Sequence, residues 1–140
     1  MKKSTDELLN ILRHTPHLNT YLKNEEENIS SCSLADYLNR LCMKKNISPA
    51  ECIKTSNLDR TYAYQIFSGS KTPSRDKVLA LCFGFRLSFE EIQSLLKSTG
   101  YPILYAKNER DSAIIYVLQR NGALTDLNEL LFRLGYDLIK

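Results

Sequence analysis

Apolar residues recur along this chain with a helical rather than a strand-like spacing. Leu34, Tyr37, Leu38, Leu41 and Cys42 stand at i, i+3, i+4, i+7 and i+8, which lines one face of a helix. Ser33 precedes them as a cap with Asp36 three residues on, and Lys44-Lys45-Asn46 ends the segment with basic residues at the negative end of the helix dipole. Ser48 followed by Pro49 predicts a second, short helix over about 49–55. Proline does no harm at a first helical position, where the N–H lacks a partner anyway. Ser56-Asn57-Leu58 reads as a tight turn, because Asn57 tolerates left-handed backbone better than most residues. A third helix is expected from about Asp59 to Ser68, stopped by Gly69, and then the loop Ser70-Lys71-Thr72-Pro73. Ser74 caps a fourth helix from Arg75 to about Phe83, ending at Gly84. Ser88, followed by Glu90 and Glu91, caps a fifth that reaches Thr99-Gly100.

The flanks follow the same rule. Leu8, Leu9, Ile11 and Leu12 after Ser4 or Thr5 predict a short first helix, Pro16 to Lys23 a further one, and Glu25 to Ser31 a polar connection. Tyr101-Pro102 breaks the chain after the fifth core helix. Glu109 to Arg120 carries Ile114, Ile115, Val117 and Leu118 and stops at Asn121-Gly122. Thr125 is the expected cap of a last helix through Leu134, ended by Gly135. No segment alternates as a strand does, and no repeat is visible. The expected architecture is all-α: an N-terminal helical extension over 1–32, a central domain over 33–99 and a C-terminal helical extension over 100–140.

Composition narrows the function classes. With 5 Gly and 4 Pro in 140 residues, neither disorder nor a turn-rich all-β fold is expected. No apolar run approaches the roughly 18 residues of a membrane span, and the Met-Lys-Lys-Ser-Thr-Asp-Glu start does not read as a secretory signal. The four cysteines (Cys32, Cys42, Cys52, Cys82) lack C-x-x-C spacing and only two histidines exist, so neither zinc nor a disulfide framework is expected; a reducing cytoplasm fits best. The formal charge is +3, but residues 33–75 alone hold seven Lys/Arg against three Asp/Glu. Two readings of that excess stay open at this point: an anionic partner, or a solvated surface.

Two short helices joined by a tight turn, one helix before and two after, make the five-helix arrangement of a DNA-binding domain. Here the residues resemble the Cro/cI-like helix-turn-helix family, also called the XRE family, over about Ser33 to Thr99. The resemblance is carried by Asn46-Ile47-Ser48 opening the second helix and Asn57-Leu58-Asp59-Arg60-Thr61-Tyr62 across the turn. It continues through Ile66-Phe67-Ser68-Gly69, Lys71-Thr72-Pro73-Ser74 and the stretch Leu79-Ala80-Leu81-Cys82-Phe83-Gly84-Phe85-Arg86-Leu87-Ser88-Phe89-Glu90-Glu91-Ile92. It implies a lambda repressor-like fold whose third helix lies in the major groove of double-stranded DNA. Leu58, Ala63, Ile66 and Phe67 are spaced to face the core, which turns Arg60, Thr61, Tyr64 and Gln65 outward as candidate base contacts. By the same resemblance Ser68, Ser70, Lys71, Thr72, Ser74 and Arg75 are candidate phosphate contacts, and the backbone N–H groups at the helix starts of Ser48 and Ser74 can also receive phosphate. Three positions depart from the family pattern. Pro49 replaces a glutamine that contacts the DNA backbone, Ile53 and Ala63 exchange a small-large pair, and Asn57 replaces the usual turn glycine.

Residues 100–140 lie outside the shared domain. They either complete the core or offer a surface to a second copy or a partner protein; a dimer would suit half-sites about 34 Å apart. Catalysis is not expected: His14 and His17 stand without a completing triad or ligand set, and no G-x-x-x-x-G-K or G-x-G-x-x-G run exists. No cofactor and no metal are implied. The competing function class is a protein-interaction module that keeps the helix-turn-helix fold without binding DNA.

Overall fold

The computed structural model describes residues 4–14 and 32–140. The chain divides into two compact units, Met1–Ser31 and Cys32–Lys140. In the first, α1 runs Thr5–His14, with Ser4 Oγ accepting the Glu7 N–H at 3.2 Å, acids in its first turn and Arg13 and His14 in its last. The expected helix over 16–23 and the connection after it lie outside the described residues.

The second unit holds α2 (Leu34–Lys45), α3 (Pro49–Ser56), α4 (Arg60–Ser68), α5 (Arg75–Gly84), α6 (Phe89–Thr99), α7 (Glu109–Gln119) and α8 (Leu124–Leu134). The described residues are all-helical, with no strand. None of these helices is long and apolar enough to cross a membrane. The helix starts have local causes. Ser33, Ser48, Asp59, Ser74 and Ser88 each accept the backbone N–H three residues on, and Ser88 and Glu91 complete a reciprocal capping box. Asn46 (φ 54°) and Asn57 (φ 57°) take the left-handed conformation that ends α2 and α3.

Helix α5 is the centre of this unit. Every residue from Val78 to Gly84 is buried, so it has no solvent face to distinguish. It packs most extensively on α3, while α2 packs on α4. The helix ends at Gly84, as the sequence predicts, but the glycine serves close packing rather than a left-handed turn. Gly84 belongs to α5, and a methyl group there would lie 2.4 Å from the Cys52 carbonyl oxygen and 2.9 Å from its Sγ. The glycine permits close approach of α3 and α5. In the turn after the helix, Arg86 takes φ 56° and its N–H donates to Phe83 O while Leu87 N–H donates to Cys82 O.

The C-terminal segment shares this core. Leu104, Ile114, Val117, Leu127, Leu131 and Ile139 are buried in the same cluster as Leu38, Ile53, Ala63, Ile66 and Leu79. Two side-chain amides fasten its irregular stretches: Gln93 pairs with both backbone groups of Leu104 (2.9 and 2.7 Å), and Asn128 with both of Ile139 (3.1 and 2.8 Å). The start of α8 differs from expectation. Thr125 lies inside the helix; the cap position is Ala123, whose N–H donates to the Asp126 carboxylate at 2.7 Å. Asp126 thus satisfies the Ala123 N–H, while alanine supplies no side-chain acceptor of the kind a capping hydroxyl offers.

Candidate nucleic-acid interface

Asp59 sets the start of α4 by accepting the Tyr62 N–H at 2.9 Å. Ala63, Ile66 and Phe67 then face inward and are buried, and Leu58 is half-buried against the same cluster. The opposite side carries Arg60, Thr61, Tyr64 and Ser68, all exposed, with Gln65 half-buried at its flank. The Arg60 guanidinium lies 5.7 Å from the centre of the Tyr64 ring. That contact orders the arginine without using its N–H groups, which have no hydrogen-bond or ion-pair partner among the described residues. The face therefore presents free donors on a helix rigidly seated by its other side.

The turn after α4 is organised around one carbonyl. Gln65 O accepts the Ser70 and Lys71 N–H groups at 3.0 and 3.2 Å, and the hydroxyls of Ser68 and Ser70 also reach it at 3.0 and 3.3 Å. Ser68 and Ser70 are also 3.2 Å from one another. These two hydroxyls point their hydrogens inward, so a phosphate would have to swing them round. Lys71 and Thr72 are exposed, and Ser74, while its oxygen caps α5 by accepting from Lys77 N–H, keeps its own hydrogen available. Ser48 caps α3, and its hydroxyl donates to the Glu51 carboxylate at 3.2 Å, which sets a negative charge beside it.

Arg75, expected as a phosphate contact, is engaged within the protein. Its guanidinium makes a two-pronged pair with Asp111 at 2.9 and 2.8 Å and donates to the carbonyls of Pro102 (2.9 Å) and Ile103 (3.0 Å). Four donor contacts leave little for a ligand. Asp111 is 6 % exposed. Burial pushes its carboxyl upward, but hydrogen bonds from Arg75 and from the Tyr105 N–H outweigh this and hold it below the usual carboxylate range. This partner was hidden in the sequence, where no local spacing links residues 75 and 111.

The basic excess of residues 33–75 is thinned in the same way. Lys45 pairs with Glu91 at 2.7 Å, and Lys45, Ser88 and their hydrogen bonds hold the Glu91 carboxyl below its usual range. Arg40, Lys44, Lys54, Arg60 and Lys71 remain exposed. Among the described residues no group of three or more His, Cys, Asp or Glu side chains could hold a metal. Tyr116, Phe132 and Leu134 are exposed on α7 and α8, which flank a groove of about 760 Å³ floored by Ala113, Val117 and Leu130. Compared with protein-family models, curated proteins and solved structures, the chain matches none of them.

Proposed function

We propose that α2–α6 form a Cro/cI-like helix-turn-helix domain and that the protein binds double-stranded DNA sequence-specifically, as a transcriptional regulator of a bacterium or phage acting in the cytoplasm. The observation that carries this reading is the outer face of α4. Arg60 offers guanidinium donors that are unpaired among the described residues and ordered by Tyr64, beside Thr61 and Gln65, on a helix entered through a tight turn. Such a helix fits the major groove, with its N-terminal residues at the base edges. Arginine matches guanine O6 and N7 bidentately, and glutamine matches adenine N6 and N7. Thr61 and Tyr64 add methyl and hydroxyl contacts. Lys71, Thr72 and Ser74, one turn further along the chain, suit the phosphate backbone, which supplies affinity without reading sequence.

Fluorescence anisotropy with a random-sequence duplex across about 50–200 mM salt tests this reading. Binding that weakens steeply with salt supports it. No binding at the low end refutes it and moves the assignment to a protein-interaction module, for which the exposed Phe132 and Leu134 mark the surface to probe.

A further inference from the structure

We infer that the segment from Tyr101 to Asp111 is a clasp that holds the phosphate-facing turn of residues 70–74 in its binding geometry, with Tyr101, Arg75 and Asp111 as positioning residues that never touch DNA. The inference rests on the DNA-binding reading and adds to it the role of the C-terminal segment.

The turn is held at both ends. Its start is fixed on Gln65 O by the Ser70 and Lys71 amides. Its end is fixed by the start of α5, where Ser74 O accepts the Val78 N–H at 3.1 Å, and by the C-terminal segment. The Tyr101 hydroxyl donates to Pro73 O at 2.7 Å, and Pro73 is buried. Two residues on, Arg75 donates to Pro102 O, Ile103 O and both oxygens of Asp111. Asp111 is itself fixed, because its Oδ2 also accepts the Tyr105 N–H at 3.0 Å and its own N–H donates to Asn108 Oδ1. A second bridge doubles the first. Arg110 makes a two-pronged pair with Asp76 at 2.9 and 2.8 Å and donates to Asp137 O. The dipeptides Arg75-Asp76 and Arg110-Asp111, each in the first turn of its helix, thus pair reciprocally. On this turn Lys71, Thr72 and Ser74 carry side-chain donors that have no partner among the described residues. A turn already ordered in the unbound protein loses less freedom on binding, which is the advantage of preorganisation.

The experiment compares wild type with Tyr101→Phe, Asp111→Asn and Arg75→Ala, using the full chain. Two readouts are taken: amide hydrogen exchange of Ser70, Lys71, Thr72 and Ser74 in the free protein, and random-duplex affinity across the salt series. The clasp predicts faster exchange in the variants and affinity lowered about five- to tenfold, with the slope against salt unchanged because no phosphate contact is lost. For Arg75→Ala, a slope lowered by about one would mean that Arg75 itself reaches a phosphate and would overturn its positioning role. Exchange and affinity both equal to wild type overturn the clasp. Tyr101→Phe removes one hydroxyl and keeps the test valid if the charge variants unfold. If wild type binds no duplex, the DNA reading fails separately, and unchanged exchange in Tyr101→Phe still refutes the ordering of the turn.

Discussion

Replacing Gly84 by alanine tests the packing that sets the whole helical unit. The added methyl would stand 2.4 Å from the Cys52 carbonyl oxygen, 2.9 Å from Cys52 Sγ and 3.2 Å from its carbonyl carbon. The shortest of these is roughly 1 Å inside ordinary contact. A side-chain rotation cannot relieve it, because the obstructing atom is backbone of α3. The two helices must separate. Overpacking of this kind costs about 1–3 kcal/mol, and the rigid obstacle places Gly84→Ala at the upper end. Alanine's better helix propensity returns up to about 1 kcal/mol. The expected net loss is about 2 kcal/mol, a fall in melting temperature of about 8 °C for a unit of this size. Thermal and urea unfolding followed by circular dichroism measure it. Adding Cys52→Ala should not restore stability, since it removes Sγ and leaves the carbonyl contact. A Gly84→Ala protein as stable as wild type, or more so, would refute the close approach of α3 and α5 as the reason for a glycine at this position.

The remaining expectations span binding, acid stability and thiol chemistry. Against a selected duplex, Arg60→Ala and Gln65→Ala should each cost about 1–3 kcal/mol and relax preference at one position, whereas Lys71→Ala should weaken all sequences alike and lower the salt slope by about one; equal affinity for wild type and Arg60→Ala would remove Arg60 from the base-reading set. The Asp111 carboxyl lies below its usual range in the folded protein, so its contribution is complete above the ordinary carboxylate value and is lost as pH falls through its folded value. Between about pH 5 and 2 wild type should therefore lose stability more steeply than Asp111→Asn, and parallel curves would contradict the sign. Burial pushes the Cys52 thiol up to about 12 and the Cys82 thiol further in the same direction, while Cys32 and Cys42 are half-exposed. At pH 8 a maleimide should label Cys32 and Cys42 in the native protein and reach Cys52 and Cys82 only on unfolding; native labelling of Cys82 at the rate of Cys32 would contradict the core described.

How far the sequence was legible follows from which forces are local. The starts of α2 to α6 could be read from Ser33, Ser48, Asp59, Ser74 and Ser88, because a cap acts within three residues. The two left-handed turns at Asn46 and Asn57 are local for the same reason. Gly84 marked the end of α5, but a glycine serves either a left-handed turn or a close approach, and only the position of Cys52 decides between them. Thr125 misled because α8 starts at Leu124 without a capping hydroxyl: Ala123 holds the cap position and the Asp126 carboxylate accepts its N–H. On the candidate site, periodicity alone turned Arg60, Thr61 and Tyr64 outward, and they are exposed. Arg75 could not be placed by any period. Its position in the first turn of α5 suited a phosphate, and its partner Asp111 sits on a helix that the motif does not include. The two Arg-Asp dipeptides were visible as words in the sequence, but their pairing is a property of the tertiary fold.

The central claim is that the outer face of α4 reads a DNA sequence, and selection from a random duplex library by the wild-type protein tests it most directly. The account predicts enrichment of a short motif containing a guanine opposite Arg60 and an adenine opposite Gln65, retained over successive rounds in moderate salt. Recovery of bound duplexes with no shared motif, or of none at all, would contradict it.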